Sequence, residues 1–468
     1  MRLSRTTLPH LPADVERPDY DSTAQRRGIV HLGLGAFHRA HQAAYTDRAM
    51  AAGDCDWAIT GVSLRSPQVH DALAPQDGLY TLTERDASAE RTRVIGAIRD
   101  VLVAPRDPAA VVSALAARDT HVVTLTITEK GYGRRPDGTL DPGVVNGGAR
   151  TIYYYLRDAF AARRADGHTG LTLVSCDNLS ANGAALHRSV AEFLDAATPD
   201  LRAWFEAECT CPSTMVDRIV PAVTGAERDA LADRLGLSDE AAVFTEPFHQ
   251  WVIEDRFAGP RPHWEAGGAQ FVADVGPYET AKLRLLNGAH SALGYLGLAR
   301  GLSFVHEAVA DPAIRPLVER LMRVEAAPTI GAAVGQDLPA YIDALLRRFA
   351  NPTLAHRLDQ IATDGSQKIG PRWLERLAST RAQSVPCEAT LQALAAWIVF
   401  VRGDRQPVSD PLANQLTAAW REAGEAGIVE ALFAEGGLLA APASLDRTRR
   451  ATLTQMVQAR VQGQESSR

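Results

Sequence analysis

The stretch Arg27-Gly28-Ile29-Val30-His31-Leu32-Gly33-Leu34-Gly35-Ala36-Phe37-His38 decides how the first half of this chain is read. It begins with an apolar run of strand type, breaks at Gly33 and Gly35, and gives way to a helical pattern from Gln42 to Met50. Strand, glycine turn and helix in that order make a nucleotide-binding βα unit. The glycines let the backbone approach a pyrophosphate, and the amide end of the helix stabilises its charge. The motif reads G-x-G-x-x-H, with His38 where a third glycine would ordinarily sit. Taken alone, it is also compatible with a tight strand-to-helix turn that binds nothing.

Working outward, residues 57–64 (WAITGVSL), 120–129 (THVVTLTITE) and 171–176 (LTLVSC) are three further strand-like runs. Helical stretches at 108–117 and 150–164 lie between them, and this βαβα order implies a mainly parallel sheet. Ligands of such sheets sit at the carboxyl ends of the strands, where Gly33, Gly35, Glu129 and the pair Asp177-Asn178 fall. After about Tyr278 the pattern changes, and residues 279–300, 311–325, 338–349 and 389–401 read as amphipathic or buried helices. The expected fold is α/β. A Rossmann-like, mainly parallel-sheet, dinucleotide-binding domain over residues 1–277 is followed by a mostly α-helical substrate-binding and catalytic domain over 278–468. The last residues, QGQESSR, read as a frayed tail.

Composition narrows the classes. The 468 residues carry 49 Lys+Arg against 56 Asp+Glu, a net charge of −7, which gives phosphate backbones no attracting field. With 46% hydrophobic and 22% charged residues the chain is of ordinary globular type rather than disordered. The longest apolar run, 391–401, falls short of the ~20 residues that span a bilayer, and the N-terminus has no apolar core of signal-peptide type. Five scattered cysteines fit a reducing cytoplasm better than a disulfide framework. Cys209 and Cys211 have no second thiol pair or HxxxH partner, so no metal site is expected. No exposed apolar stripe demands a partner subunit, which is compatible with a monomer. Of the basic residues 46 are arginine and only Lys130, Lys282 and Lys368 are lysine. A chain that prefers arginine this strongly directs attention to those three, because an ammonium can lose its proton when buried and a guanidinium cannot.

Lys282 lies in Tyr278-Glu279-Thr280-Ala281-Lys282-Leu283-Arg284-Leu285-Leu286-Asn287-Gly288-Ala289-His290. On an α-helix Glu279, Lys282, Asn287 and His290 spread over an arc of roughly 140° and could line one wall of a cleft. The leucines between them supply the apolar surround that lowers a lysine pKa. A lysine so placed can take a proton from a substrate hydroxyl while hydride leaves the adjacent carbon. A capped helix with one snorkelling lysine explains the same residues. Directly after an apolar strand comes Ser175-Cys176-Asp177-Asn178-Leu179. Asn178 and Asn287 could donate hydrogen bonds to an oxygen that gains alkoxide character, although Asp-Asn after a strand is also an ordinary turn.

Together these segments resemble the polyol-specific long-chain dehydrogenases. The Lys-x4-Asn-x2-His motif is met by Lys282, Asn287 and His290, and further matches are GxGxFHRxHQ (33–42), TxTEKGY (126–132), SCDNLxxNG (175–183), MVDRIVP (215–221), EPFxQWVIED (246–255) and DGSQK (364–368). The resemblance implies a zinc-independent secondary-alcohol dehydrogenase that uses a nicotinamide cofactor. It makes Lys282 the general acid/base, Asn178 and Asn287 the pair that polarises the substrate oxygen, and His290 the residue that orients substrate hydroxyls. It places Glu279 at the proton exit, Asp217 and Lys368 on the substrate, and Gly33, Gly35 and Phe37 on the dinucleotide.

Arg372, four residues after Lys368, could complete a cation pair for a substrate carboxylate. Gln360 stands where the mannitol-specific branch tends to carry arginine. These features favour reduction of D-fructuronate to D-mannonate over mannitol/fructose interconversion. The strand 57–64 is followed by Arg65 rather than by an acid, which keeps NADP open, while the resemblance favours NAD. A non-catalytic dinucleotide-binding module and a zinc-dependent alcohol dehydrogenase are the readings from other classes.

Overall fold

The computed structural model describes residues 1–135, 137–147, 150–380 and 385–465. The chain forms two compact units, Met1–Val275 and Gly276–Arg468. The first contains β1 (Ile29–Leu32), β2 (Ile59–Ser63), β3 (Tyr80–Arg85), β4 (Glu90–Ile95), β5 (Ile98–Val103), β6 (Val122–Leu125), β7 (Thr172–Ser175), β8 (Thr214–Asp217), β9 (Val243–Thr245), β10 (Gln250–Glu254) and β11 (Gln270–Val272). Five of these make a parallel sheet in the order β5-β2-β1-β6-β7. That is the order of a dinucleotide-binding half, with the strand before the glycine turn at the centre.

Burial on both faces explains why β1, β6 and β7 read as continuous apolar runs. Val30, Leu32, Val123 and Leu125 pack with Val111, Leu115, Leu156, Phe160 and Leu186 from the helices Pro108–Ala116, Ile152–Ala165 and Asn182–Ala197. Ile29, Ile59 and Val122 point the other way, onto Ala43, Ala44 and Tyr45 of the helix Gln42–Ala51 and onto Trp251 and Trp264. Two small mixed sheets, β4-β3-β9 and β11-β10-β8, complete the unit. Their strands are short and interleaved with the parallel sheet in sequence, and the sequence reading did not anticipate them.

The glycine turn is fixed from beneath. Gly33 has φ +98°, and a Cβ there would lie 2.2 Å from the Thr126 carbonyl oxygen, so only glycine fits. Thr126 Oγ1 donates to Gly33 O at 2.9 Å and receives His31 Nε2–H at 2.9 Å, which leaves His31 Nδ1 to accept from Thr124 Oγ1 at 2.7 Å. The His38 ring stacks on His31 at 3.4 Å between centroids. The residue that departs from a three-glycine motif is therefore a packing partner of the central strand.

The second unit is helical, with one large core that includes Leu285, Leu293, Leu321, Trp373, Trp397 and Phe433. The expected helix over 279–300 exists as Gly276–Ala281 and Gly288–Ala299, but the segment between them, Lys282–Asn287, is a π-helix. Gly288 N donates to Leu283 O, five residues back. The α-helical arc of roughly 140° is therefore corrected: an i→i+5 register brings residues five apart, here Lys282 and Asn287, to within roughly 50° of each other about the axis, on one face. Two more π segments, Leu321–Ala326 and Gly370–Leu374, occur among the described residues. The last helix, Arg447–Glu465, extends into the expected tail, whose residues 466–468 lie outside the described residues.

Burial pushes the His31 pKa down to about 3 and the His38 pKa well below its ordinary value, and it takes His249 to about 3. In the unfolded chain these histidines bind protons near pH 6.5, which the folded chain does not match until far lower pH. Stability should therefore fall as pH drops through about 6.5 toward 3, by about 1.4 kcal/mol per pH unit for each such histidine. Urea unfolding between about pH 7.5 and about pH 5 measures this slope, and His38→Phe, which keeps a ring on His31 but cannot titrate, should flatten it.

Candidate active site

In the first unit, Gly33, Gly35, Phe37, Arg65, Glu129 and Asn178 gather at the carboxyl ends of β1, β2, β6 and β7. Gly35 has extended backbone at φ −125°, and a Cβ on it would meet only Gly33 O at 3.7 Å. Packing does not demand glycine there, and a side chain would fill the space a dinucleotide backbone needs, so the turn fits a pyrophosphate. Phe37 is half-buried and stacks on His41 at 5.1 Å. Arg65 is exposed two residues beyond β2, and Glu129 is exposed at the start of the 3-10 turn Glu129–Tyr132.

One carboxylate organises the ends of β6 and β7. Asp177 Oδ2 accepts from Ile127 N at 3.0 Å and from Tyr132 Oη at 2.9 Å, while Oδ1 accepts from Thr128 N at 2.9 Å. Burial pushes the Asp177 carboxyl up, and these three hydrogen bonds oppose that by favouring the charged form. Thr128 adopts φ +64°, ψ 162°, a region that non-glycine residues rarely enter, and the clamp on its amide holds it there. Asn178 follows the clamp on the exposed side of the turn. Asn182 is fully buried; its amide group donates to Asp177 O at 3.1 Å and to Thr214 O at 2.9 Å, and its oxygen accepts from Thr214 N at 2.9 Å. Thr214 begins β8, and Asp217, buried, ends it. The next residue, Arg218, donates to the carbonyls of Ala40 and Glu246 and pairs with Glu84. MVDR, FHR and EPF are thus joined by one guanidinium.

In the second unit, Glu279, Lys282, Asn287 and His290 are all half-buried along the interrupted helix. The Phe349 ring lies 4.7 Å from His290, and the His356 ring stands edge-on at 5.1 Å. Burial, together with the charges of His356, Arg348 and Arg372, holds the His290 pKa well below its ordinary value, so the ring is neutral. Its buried Nε2 has no hydrogen-bond partner among the described residues. A buried polar atom of this kind calls for a partner that the polypeptide does not provide.

Lys368 and Arg372 lie one turn apart, in the helix Gly365–Ile369 and the π segment Gly370–Leu374. Lys368 Nζ donates to Thr363 O at 2.6 Å, and Arg372 Nη1 donates to Ser291 Oγ at 2.6 Å and Asn287 O at 3.3 Å. Burial and the nearby Arg372 charge lower the Lys368 pKa. Neither cation makes a salt bridge among the described residues, although Asp364 and Asp410 are near enough to favour the charged form of Lys368. The candidates drawn from sequence therefore fall into two sets, one in each unit. Sequence reasoning did not single out Asp177 as a clamp, nor Phe349, His356 and Trp373. The last three are scattered in sequence and adjoin the site residues of their unit only through the fold.

Residues 27–266 match the Mannitol dehydrogenase Rossmann domain, and residues 274–447 match the Mannitol dehydrogenase C-terminal domain. The chain is 38% identical over 453 residues to the D-mannonate oxidoreductase of Escherichia coli (strain K12), covering 93% of each. It is also 38% identical over 427 residues to the mannitol 2-dehydrogenase of Pyrenophora tritici-repentis, covering 86% of this chain and 75% of that one. Among solved structures, the Pseudomonas fluorescens mannitol 2-dehydrogenase ternary complex with NAD and D-mannitol superimposes with a TM-score of 0.83 at 34% identity, covering 100% of this chain and 98% of that one. A substrate-free D-sorbitol dehydrogenase gives 0.89 at 31% identity, covering 98% of this chain and 96% of that one. With both domains matched and relatives aligned over nearly its whole length, the chain belongs to the mannitol dehydrogenase family.

Proposed function

We propose that this protein reduces D-fructuronate to D-mannonate with NADH and runs the reverse oxidation in the same site. As a member of its family it is an NAD-dependent dehydrogenase of secondary alcohols. The choice of a sugar acid rests on one observation: Lys368 and Arg372 are two neighbouring, partly buried cations, and Arg372 has no carboxylate beside it among the described residues. A buried guanidinium without a carboxylate fits a substrate carboxylate, which Arg372 can engage through donors other than the Nη1 bonded to Ser291 and Asn287. Mannitol/fructose interconversion is the second reading, favoured by equal identity to a mannitol 2-dehydrogenase.

When bound, the nicotinamide supplies the hydride in reduction and accepts it in oxidation. Lys282 gives its Nζ proton to the carbonyl oxygen in reduction and takes it from the hydroxyl in oxidation. Asn287 donates its side-chain N–H to that oxygen, favouring the form with alkoxide character, and the family resemblance gives Asn178 the same role. His290, held neutral, offers ring nitrogens to substrate hydroxyls, and Asp217 accepts from another. Glu279, three residues before Lys282, passes protons between the lysine and water. Gly33, Gly35 and Phe37 hold the dinucleotide, with Arg65 and Glu129 at the same sheet edge. The combined presence of Lys282, Asn178, Asn287 and His290 argues against a non-catalytic module, which has no use for the set.

Initial rates with NADH should favour fructuronate over fructose, and Arg372→Leu should lower kcat/KM about 10- to 100-fold more for the uronate than for fructose, because only the uronate loses a charge-assisted contact. A clear preference of the unaltered protein for fructose would sink the sugar-acid reading. Lys282→Ala should abolish turnover while leaving NADH affinity, measured by fluorescence titration, within about threefold of the parent.

A further inference from the structure

The π segment Lys282–Asn287 is held by groups of which only Arg372 enters the proposed chemistry. A single-turn π register interrupts an α-helix and is retained where surrounding structure supports it, often at functional sites. Here the support comes from a second π segment, Gly370–Leu374. Trp373 Nε1 donates to Gly288 O at 3.2 Å, and Arg372 Nη1 donates to Asn287 O at 3.3 Å and to Ser291 Oγ at 2.6 Å. Both side chains thus bond the carbonyls where the π register returns to α. Trp373 is fully buried and its bond is shielded from water, while the two Arg372 bonds are part-buried.

The second segment is itself anchored. Arg376 Nη1, just beyond it, donates to Glu325 O at 2.9 Å in the third π segment, Leu321–Ala326, and its guanidinium lies 3.7 Å from the Glu325 carboxylate. Glu325, fully buried, accepts the amides of Ala389 at 2.7 Å and Thr390 at 2.9 Å. Arg284 closes the triangle by donating from the first segment to Thr329 O at 2.7 Å and Thr329 Oγ1 at 2.8 Å, just past the third. The three irregular turns are laced to one another by side chains and do not drift independently.

We propose that Trp373, assisted by Arg372, is a positioning residue that locks the π register of Lys282–Asn287 and so keeps the Lys282 amine on one face with the Asn287 amide. This rests on the reading of Lys282 as the general base. Without the lock, relaxation toward an α-register swings Lys282 and Asn287 roughly 140° apart about the helix axis. The proton-transfer group and the oxygen-polarising group then no longer converge on one oxygen.

Trp373→Phe keeps an aromatic ring in the core and removes the N–H donor along with part of the indole volume. Expected are a roughly 10- to 100-fold loss in kcat with unchanged NADH affinity, and a change at Lys282 that can be read without turnover. The chain has only three lysines, so amine-reactive labelling across a pH series, resolved by peptide mass, follows each separately. In Trp373→Phe the labelling midpoint of Lys282 should move upward, toward the value of about 10.4 of an exposed lysine, as it loses its apolar surround. Lys130 should keep its midpoint and serves as the internal control.

Ser291→Ala, which removes the 2.6 Å acceptor of Arg372, should shift Lys282 in the same direction and serves if Trp373→Phe does not fold. Lowered thermal stability with an unmoved Lys282 midpoint and an unmoved pH profile of kcat would overturn the proposal and leave Trp373 a packing residue. Turnover surviving in Lys282→Ala would instead overturn the base assignment, and the labelling experiment would still report whether Trp373 sets the environment of that lysine.

Discussion

The backbone register over Lys282–Asn287 is the constraint around which the helical unit is arranged. The wider turn brings a five-residue spacing, poorly directed on an α-helix, onto one face. The core is built to hold that irregularity. Two more π segments stand against it, a tryptophan and an arginine bond the carbonyls at its exit, and a fully buried Arg376–Glu325 pair ties the far side. Removing either partner of a buried pair leaves a charge in low dielectric at a cost of about 3–5 kcal/mol, so the scaffold resists gradual loosening.

The sheet unit uses a carboxylate for the same purpose. Asp177 accepts two consecutive amides and a tyrosine hydroxyl, which joins the ends of β6 and β7. The conformation of Thr128 costs about 1–3 kcal/mol. Hydrogen bonds to a charged acceptor contribute about 1.5–3 kcal/mol each, enough to offset it. The chain leaves β6 abruptly as a result and presents Glu129 at the sheet edge rather than continuing as strand.

Much of this was legible in the sequence where local pattern and tertiary role coincide. The strands around 29, 59, 122 and 172 and the helices Leu338–Phe349 and Glu388–Phe400 appear where apolar periodicity places them, because burial sets both. The glycine turn was legible for the same reason, and His38 became intelligible only with its ring on His31. The small sheets were not, since their strands have only three to six residues and, apart from the local β3–β4 hairpin, join segments far apart in sequence, as β3 joins β9 and β8 joins β10. The π register was also hidden: Lys282–Asn287 has the composition of a good α-helix, and the cause of its irregularity lies nearly ninety residues away, at Trp373. The joining of GxGxFHR to MVDR and EPF through Arg218 is likewise a fact of three dimensions.

The arginines that bond backbone carbonyls carry a consequence of their own. Arg163 donates to the carbonyls of Leu115, Ala117 and Thr169, Arg218 to those of Ala40 and Glu246, and Arg449 to those of Leu377 and Ser444. Each closes a loop end with a multi-pronged donor that stays protonated at any pH a protein withstands. Lysines in those places would start releasing their protons in the alkaline range, where a base such as Lys282 is most fully deprotonated. By giving its structural cations to arginine, the chain separates the proton inventory of its architecture from that of its reaction, and alkaline conditions can titrate one without dismantling the other.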